Sequence, residues 1–355
     1  MHFVLKSTLF MFQYFIIYLI SAVPTFLPFD GNERVKTFTW VTIWLIFTLF
    51  IGLRHEVGPD WQSYLNYFDN LDRSPVPSED IFLYFSTNDM GYVVLNWLSA
   101  YFGTGIYGVN FVCAAIFMTG LILFCRKQPL PWLALTIAIP IFVVTIAMGT
   151  VRQATALGWF FLALIAFQER RLAYFIFFMF LAGMFHKSVL VFLLLLFFLT
   201  NVRWFFGFFV IIALVSFFLY DIVAIFWRVY VEDTMYSEGG FMRVLMNAVP
   251  AIFLLLFWRR WKLSSNQRLW ILFAILSLIS LVFVGSASTA VDRIAIYFAP
   301  WQIFAFSRLP LLAQDVVSRT AILVLIVVVY GAMLFVWLNY AINANSWIPY
   351  GNILL

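Results

Sequence analysis

The chain has 355 residues, of which 65% are hydrophobic and only 10% charged, with a formal net charge of +5. Soluble domains carry about 45–50% apolar and about 25% charged residues, and a core of this size cannot hide the excess. The composition therefore predicts an integral membrane protein and excludes fibrous, disordered and disulfide-rich secreted chains. Cys113 lies in an apolar run and Cys125 at the end of one, which favours neither a disulfide nor a thiolate metal site.

Polar residues divide the chain into apolar runs. A helix needs about 20 residues to cross a bilayer, and several runs are shorter. The predicted fold is all-α and polytopic, with about twelve transmembrane helices, some short or broken, in one domain over residues 1–355. The first run is predicted to stay as a helix rather than be cleaved as a signal peptide. The runs are 8–28, 37–53, 105–124, 131–148, 154–167, 172–185, 188–200, 204–222, 244–258, 269–287, 294–307 and 320–342.

The segment 172–200 decides the number of spans. As one helix it would be roughly 43 Å long, which is long for one span and short for two. One span would place the cluster Arg259-Arg260-Trp261-Lys262 outside the cell, against the rule that basic loops face the cytoplasm. We therefore predict two short helices that meet at His186 and Lys187.

The same rule orients the whole chain. Most of the 21 Lys and Arg residues fall in loops that alternation of the runs places on one side, the predicted cytoplasmic side. Both ends of the chain then face outward. So do an amphipathic loop over about 54–104 and a second loop over about 223–243.

Four cations break this pattern, because Arg54, Arg152, Lys187 and Arg293 fall at the predicted outer ends of helices. An ionisable group at membrane depth is costly unless it is paired or faces water, so each is a candidate functional residue. The alternative is that each extends to the outer lipid headgroups. Their common depth, on separate segments, favours a shared polar cavity.

The residues after Arg54 predict an amphipathic surface helix. Pro59 suits its first position, and Asp60 suits its first turn, where the helix dipole favours a carboxylate. Helical spacing places Asp60 and Tyr64 on one face and Trp61 on the other. This pattern fits a capping carboxylate with an interfacial aromatic belt, and it equally fits a wall of rings and carboxylates for sugar binding.

Three further clusters offer chemistry. Arg152, followed by Gln153, presents a planar fork suited to phosphate oxygens, and the alternative is an ion pair with Asp60 or Asp292. His186 is a candidate acid, base or hydrogen-bond donor. Asp292 and Arg293 are predicted to begin a short apolar helix. With only three histidines, the sequence argues against a multi-histidine metal site, whereas the outer carboxylates are compatible with an oxygen-only Mg²⁺ site.

Taken in order, these clusters resemble the EpsG-like branch of the Wzy-type polysaccharide polymerases over about residues 40–300. Each motif is short, and the specificity lies in the set and its order. One departure is Pro59, where a small polar residue is expected. The matching motifs are Gly52-Leu53-Arg54, Gly58-Pro59-Asp60, Tyr64, Arg152-Gln153, Phe185-His186-Lys187-Ser188 and Arg293-Ile294-Ala295-Ile296-Tyr297.

The resemblance implies a glycosyltransferase with a GT-C-like fold that makes O-antigen, capsule or exopolysaccharide in the bacterial inner membrane. It transfers a growing glycan from undecaprenyl pyrophosphate to the non-reducing end of a lipid-linked repeat unit at the periplasmic or outer face. No cofactor, metal or nucleic acid is implied. The implied partners are the lipid-linked oligosaccharides, the bilayer, a flippase and a chain-length regulator.

The resemblance and the residues together suggest roles. Arg54, Arg152 and Arg293 are predicted to bind pyrophosphate, and His186 and Asp60 to be catalytic. The predicted substrate-contacting or supporting residues are Gln153, Lys187, Tyr64, Tyr297, Asp292 and Trp61.

The sequence also fits three other classes of membrane protein. One is a GT-C glycosyltransferase that uses a polyprenyl-phosphate sugar, because Asp60 with Asp69 or Asp72 imitates an early acidic pair. Another is a transporter of lipid-linked glycans, which should place its polar groups near the membrane midplane. A membrane acyltransferase is a third, which would need thioester recognition from the cytoplasmic side.

Overall fold

The computed structural model describes residues 11–27, 31–73, 88–198, 239–257 and 267–354, and this part of the chain is helical. Helices suit an apolar chain because they satisfy every backbone polar group internally. The α-helices are α1 (Phe12–Ala22), α2 (Glu33–Gly52), α3 (Trp61–Arg73), α4 (Met90–Tyr101), α5 (Gly105–Arg126), α6 (Pro131–Ala138), α7 (Val151–Gln168), α8 (Leu172–Phe185), α9 (Gly240–Phe257), α10 (Gln267–Phe283), α11 (Ser288–Phe298), α12 (Pro300–Phe306) and α13 (Val316–Tyr340). Short 3₁₀ helices cover Val23–Phe26, Lys187–Phe198, Leu309–Leu312 and Ala344–Ser346.

Within the described ranges, four helices are long and apolar enough to cross a membrane, namely α2, α5, α7 and α13. Six shorter apolar helical segments accompany them, and most predicted runs coincide with one of these ten. The predicted run 204–222 and most of the predicted outer loop 223–243 lie outside the described residues.

The predicted break in segment 172–200 is confirmed. Helix α8 ends at Phe185, and a 3₁₀ helix begins at Lys187, so that His186 lies between the two. The His186 N–H still donates to the carbonyl of Ala182 at 3.0 Å, which closes the last turn of α8.

Helix α6 continues as a π-helix over Ile139–Ala147. Pro140 lacks the N–H that would bond one turn back, and its ring crowds that carbonyl, so the regular ladder cannot continue there. Five residues further on, the Thr145 hydroxyl donates to the Pro140 carbonyl at 2.9 Å. Such widened turns occur often at functional sites, and this one lies just before α7.

Helix α3 differs from its prediction in two respects. It begins at Trp61 rather than Pro59, because the Trp61 N–H bonds to the Gly58 carbonyl in a tight turn that precedes the helix. Trp61 and Tyr64 also share the buried face, each 8% exposed, whereas the sequence placed them on opposite faces. Residues three apart can lie on one side of a helix, and both side chains are buried here.

The prediction that Asp292 begins a helix is wrong. Helix α11 begins at Ser288, and the Val291 N–H already bonds to the Ala287 carbonyl at 2.9 Å. Asp292 and Arg293 therefore lie in the middle of α11. The helix starts earlier than predicted because the hydrogen bond from Val291 to Ala287 already closes a helical turn before Asp292.

The chain divides into two compact units. The first contains Met1–Leu162, Phe180–Lys187 and Phe306–Leu355, and the second Ala163–Met179 and Ser188–Ala305. In the first unit, α5 and α7 cross closely at Gly120 and Gly158, where a methyl group on Gly120 would overlap the Gly158 carbonyl. Small residues allow such contact between membrane helices. In the second unit, Trp270 stacks on Phe304 at 3.9 Å.

Candidate functional site

Arg54 lies inside the loop that joins α2 to α3. Its side chain is 1% exposed, and it donates to the carbonyls of Ile51 at 2.7 Å and Val57 at 3.0 Å. Burial lowers the pKa of Arg54, but a guanidinium in a protein stays protonated. Through these two hydrogen bonds, Arg54 fixes the conformation of the loop that leads to Asp60.

The same loop rests on the residues that precede α7. Gly58 has a φ of +104°, a backbone conformation that residues with a side chain rarely adopt. A methyl group there would also overlap the Met148 carbonyl. The loop and the segment that leads into α7 are thus in direct backbone contact. This contact brings the motif that contains Arg54 beside the motif that contains Arg152.

Arg152 is the most accessible of the predicted cations whose contacts the structure gives. Its side chain is 44% exposed, and its Nη1 donates to Asp89 Oδ2 at 2.9 Å. The guanidinium carbon lies 5.9 Å from each of the ring centres of Tyr64 and Tyr92. The carboxylate and the two rings hold the guanidinium in place while a large part of it stays open.

Both tyrosines beside Arg152 are buried. Burial raises the pKa of Tyr64, which Arg152 partly opposes, and burial likewise raises the pKa of Tyr92. Both phenols therefore stay neutral at physiological pH and present hydroxyl groups rather than charge. Their rings lie 5.6 Å apart and form the wall beside Arg152.

The predicted motif that contains His186 and Lys187 lies at the same site. The first turn of α4 packs on the end of α8, where Gly91 lies close against Met184 and Phe185. This packing puts Lys187 within electrostatic reach of Asp89. The structure thus gathers Arg54, Tyr64, Arg152 and Lys187, with Asp60, Trp61, Gln153 and His186 on the same segments of the first unit.

Sequence reasoning missed Asp89 and Tyr92. Asp89 occupies the N-cap position of α4, and its side chain is only 12% exposed. An Asn-Asp pair before an apolar run is a helix-start signal, which was available in the sequence. It does not reveal that this carboxylate meets an arginine 63 residues away.

The second unit contains the other predicted residues. Both oxygens of Asp292 accept hydrogen bonds from Arg243, each at 2.7 Å, and Arg243 was not singled out in the sequence. Beside them, Gln302 donates to Asn247 at 2.6 Å, and Asn247 donates to the Ala295 carbonyl at 2.9 Å.

The remaining two predicted residues of the second unit also belong to α11. Arg293 is half-buried and Tyr297 fully buried. Hydrogen bonds to Asp292 and Ala295 therefore fix helix α11 at the motif that contains Arg293 and Tyr297.

No group of three His, Cys, Asp or Glu residues in the described part of the chain is placed to hold a metal ion. Cys113 and Cys125 are both buried and free.

Comparison with known proteins yields one family. The model of the EpsG family matches residues 37–352, which include every motif described above. No curated protein and no solved structure matches the chain.

Proposed function

Because the chain belongs to the EpsG family, we propose that it is a membrane polysaccharide polymerase of the Wzy type. In this reaction an acceptor hydroxyl, on the non-reducing sugar of a lipid-linked repeat unit, attacks the anomeric carbon of the growing glycan. The bond from that carbon to the pyrophosphate oxygen breaks, undecaprenyl pyrophosphate leaves, and a base takes the hydroxyl proton.

The observation that carries the proposal is the environment of Arg152. A pyrophosphate leaving group gains negative charge as its bond breaks, and fixed cations that meet this charge supply a large part of catalysis. Arg152 offers a partly exposed guanidinium that is held by Asp89 at 2.9 Å and flanked by two rings. Lys187 supplies a second cation near the same carboxylate.

The three predicted pyrophosphate arginines have different surroundings. Arg152 is proposed to contact the leaving group directly. Arg54, which is 1% exposed, is proposed to support it by fixing the loop. Arg293 is half-buried on α11, and its predicted role in pyrophosphate binding stays a proposal.

The proposed location follows the charge pattern of the loops. We propose a multi-pass protein of the bacterial inner membrane, with about twelve spans, a GT-C-like fold and a site that faces the periplasm or the exterior. No cofactor enters the proposed reaction. A flippase that delivers the repeat units and a chain-length regulator are the proposed protein partners.

Reconstitution tests the function. The purified chain in detergent, given undecaprenyl-pyrophosphate-linked repeat units, is expected to produce a ladder of longer glycans and to release undecaprenyl pyrophosphate. A transporter does no chemistry in detergent, where there are no compartments, and would leave single units unchanged. A polyprenyl-phosphate glycosyltransferase would extend the units only when its monophosphate donor is added. Either result would overturn the proposal.

His186 and Asp60 are the proposed candidates for the base. A general base must be unprotonated, so the wild-type rate is expected to fall toward acid pH. His186→Gln should remove this acid limb if His186 is the base, and Asp60→Asn should do so if Asp60 is. His55→Gln is the matched control, because that side chain is 50% exposed and bonds to Tyr107. If the rate still falls toward acid pH in both variants, neither residue is the base.

A further inference from the structure

The residues that follow α13 fold back over the candidate site. Residues 346–353, here called the strap, run along the loop that contains Arg54 and make an isolated β-bridge between Arg54 and Asn352. The His55 N–H donates to the Gly351 carbonyl at 2.9 Å, and the Ile353 N–H donates to the Leu53 carbonyl at 3.0 Å. The strap therefore supplies hydrogen-bond partners for the backbone of the loop.

The strap also contacts the segment that leads into α7. The Trp347 indole N–H donates to the Val144 carbonyl at 3.0 Å, and its ring packs on Gly149. The neighbouring Ser346 carbonyl accepts the Gly58 N–H at 2.7 Å. Two adjacent strap residues thus hold the loop that contains Arg54 and the segment that leads to Arg152.

The strap is itself firmly anchored. Trp347 is 2% exposed, and its carbonyl accepts a hydrogen bond from the Tyr14 hydroxyl at 2.6 Å. The Tyr350 hydroxyl donates to the Phe50 carbonyl at 2.8 Å, and the Tyr350 ring stacks on Phe50 at 4.4 Å. Buried, fully bonded polar contacts of this kind define a single geometry rather than a loose cover.

We propose that the strap is a positioning element of the pyrophosphate site, with Trp347 and Tyr350 as its positioning residues. It sets the spacing between the loop that contains Arg54 and the helix that begins just before Arg152. An arginine fork binds phosphate oxygens well only in a narrow geometry, so a small shift of either element weakens binding. This inference rests on the proposed function of the site.

The test measures binding of farnesyl pyrophosphate, a short lipid pyrophosphate, to the purified full chain. Trp347→Phe keeps a ring but removes the donor to Val144, and we expect the Kd to rise about tenfold, the effect of one lost buried hydrogen bond. Trp44→Phe is the matched control. That indole lies on α2, ten residues before Arg54, and donates to the Thr119 hydroxyl at 3.0 Å, so its replacement removes a similar hydrogen bond away from the strap and should leave the Kd unchanged.

A double-mutant cycle separates positioning from general destabilisation. In the Arg152→Ala background, Trp347→Phe is expected to cost no further affinity, because the group that it positions is gone. Additive losses, or a Trp347→Phe affinity equal to wild type, would overturn the inference and leave the proposed function standing. Failure of the wild-type chain to bind farnesyl pyrophosphate would overturn both. If Trp347→Phe does not fold, Tyr350→Phe removes a second strap hydrogen bond and carries the same expectations.

Discussion

Replacement of Arg152 by alanine is expected to abolish polymer formation, with a fall in rate of at least about a hundredfold. The guanidinium is the cation proposed to meet the charge that develops on the leaving pyrophosphate. Arg152→Lys keeps the charge but loses the planar fork, so an intermediate loss of about tenfold is expected. The measurement is the rate of chain extension in detergent, with folding confirmed by the elution profile of the purified protein.

Asp89 supplies a companion variant. Asp89→Asn keeps the shape of the side chain but removes the charge that orients Arg152 at 2.9 Å. Its chain-extension rate should fall between those of wild type and Arg152→Ala, and Asp89→Asn should add little in the Arg152→Ala background.

Arg171→Ala is the matched control for Arg152→Ala. Arg171 also pairs with an acidic residue, Glu169 at 3.2 Å, but it lies outside the candidate site and is 61% exposed. Its substitution should leave polymer length and rate unchanged. Long polymer from folded Arg152→Ala would contradict the proposed role of Arg152.

The second large effect is expected on stability, in the other compact unit. Asp292 is 8% exposed and receives both hydrogen bonds of the Arg243 fork. Asp292→Asn removes the carboxylate charge that accepts both of these hydrogen bonds, and removal of one partner of a buried ion pair costs about 3–5 kcal/mol. The Arg243 side chain is 16% exposed, so water screens part of its charge. We therefore expect a loss of stability at the lower end of this range. A clear fall in the melting temperature in detergent is the measurement.

A double replacement tests this explanation. Changing Arg243→Met together with Asp292→Leu removes both charges and keeps the volume apolar, so stability should recover most of the loss. Arg293→Gln changes the neighbouring, half-buried arginine and should cost far less. If the double variant is as unstable as Asp292→Asn, the ion pair does not explain the stability of this region.

The helices were predictable because hydrophobic runs are local. The length of segment 172–200 suits neither one span nor two, and the basic cluster at 259–262 favoured a break at His186. The structure has two helices that meet there. Helix α3 was predicted to begin at Pro59, two residues before its start at Trp61. The preference for a carboxylate in the first turn suggested the earlier start, but the Trp61 N–H bonds to the Gly58 carbonyl in a turn that precedes the helix. Helix ends depend on such local competition, which composition does not resolve.

The site was predictable only in part. The rule-breaking cations pointed to Arg54 and Arg152, and their segments are in contact through Gly58. The sequence could not distinguish the buried Arg54, at 1% exposure, from the accessible Arg152. Both are arginines at helix ends, and only the packing around them differs.

Composition and charge pattern alone determined that this chain is an apolar helical protein, and its motifs pointed to the EpsG family. Only the tertiary structure decided that Asp89 holds Arg152, that Arg243 holds Asp292, and that the strap completes the loop around Arg54. The reason is physical. Apolar runs and helix breaks depend on neighbouring residues, whereas the partner of a charge depends on which helix ends meet in space.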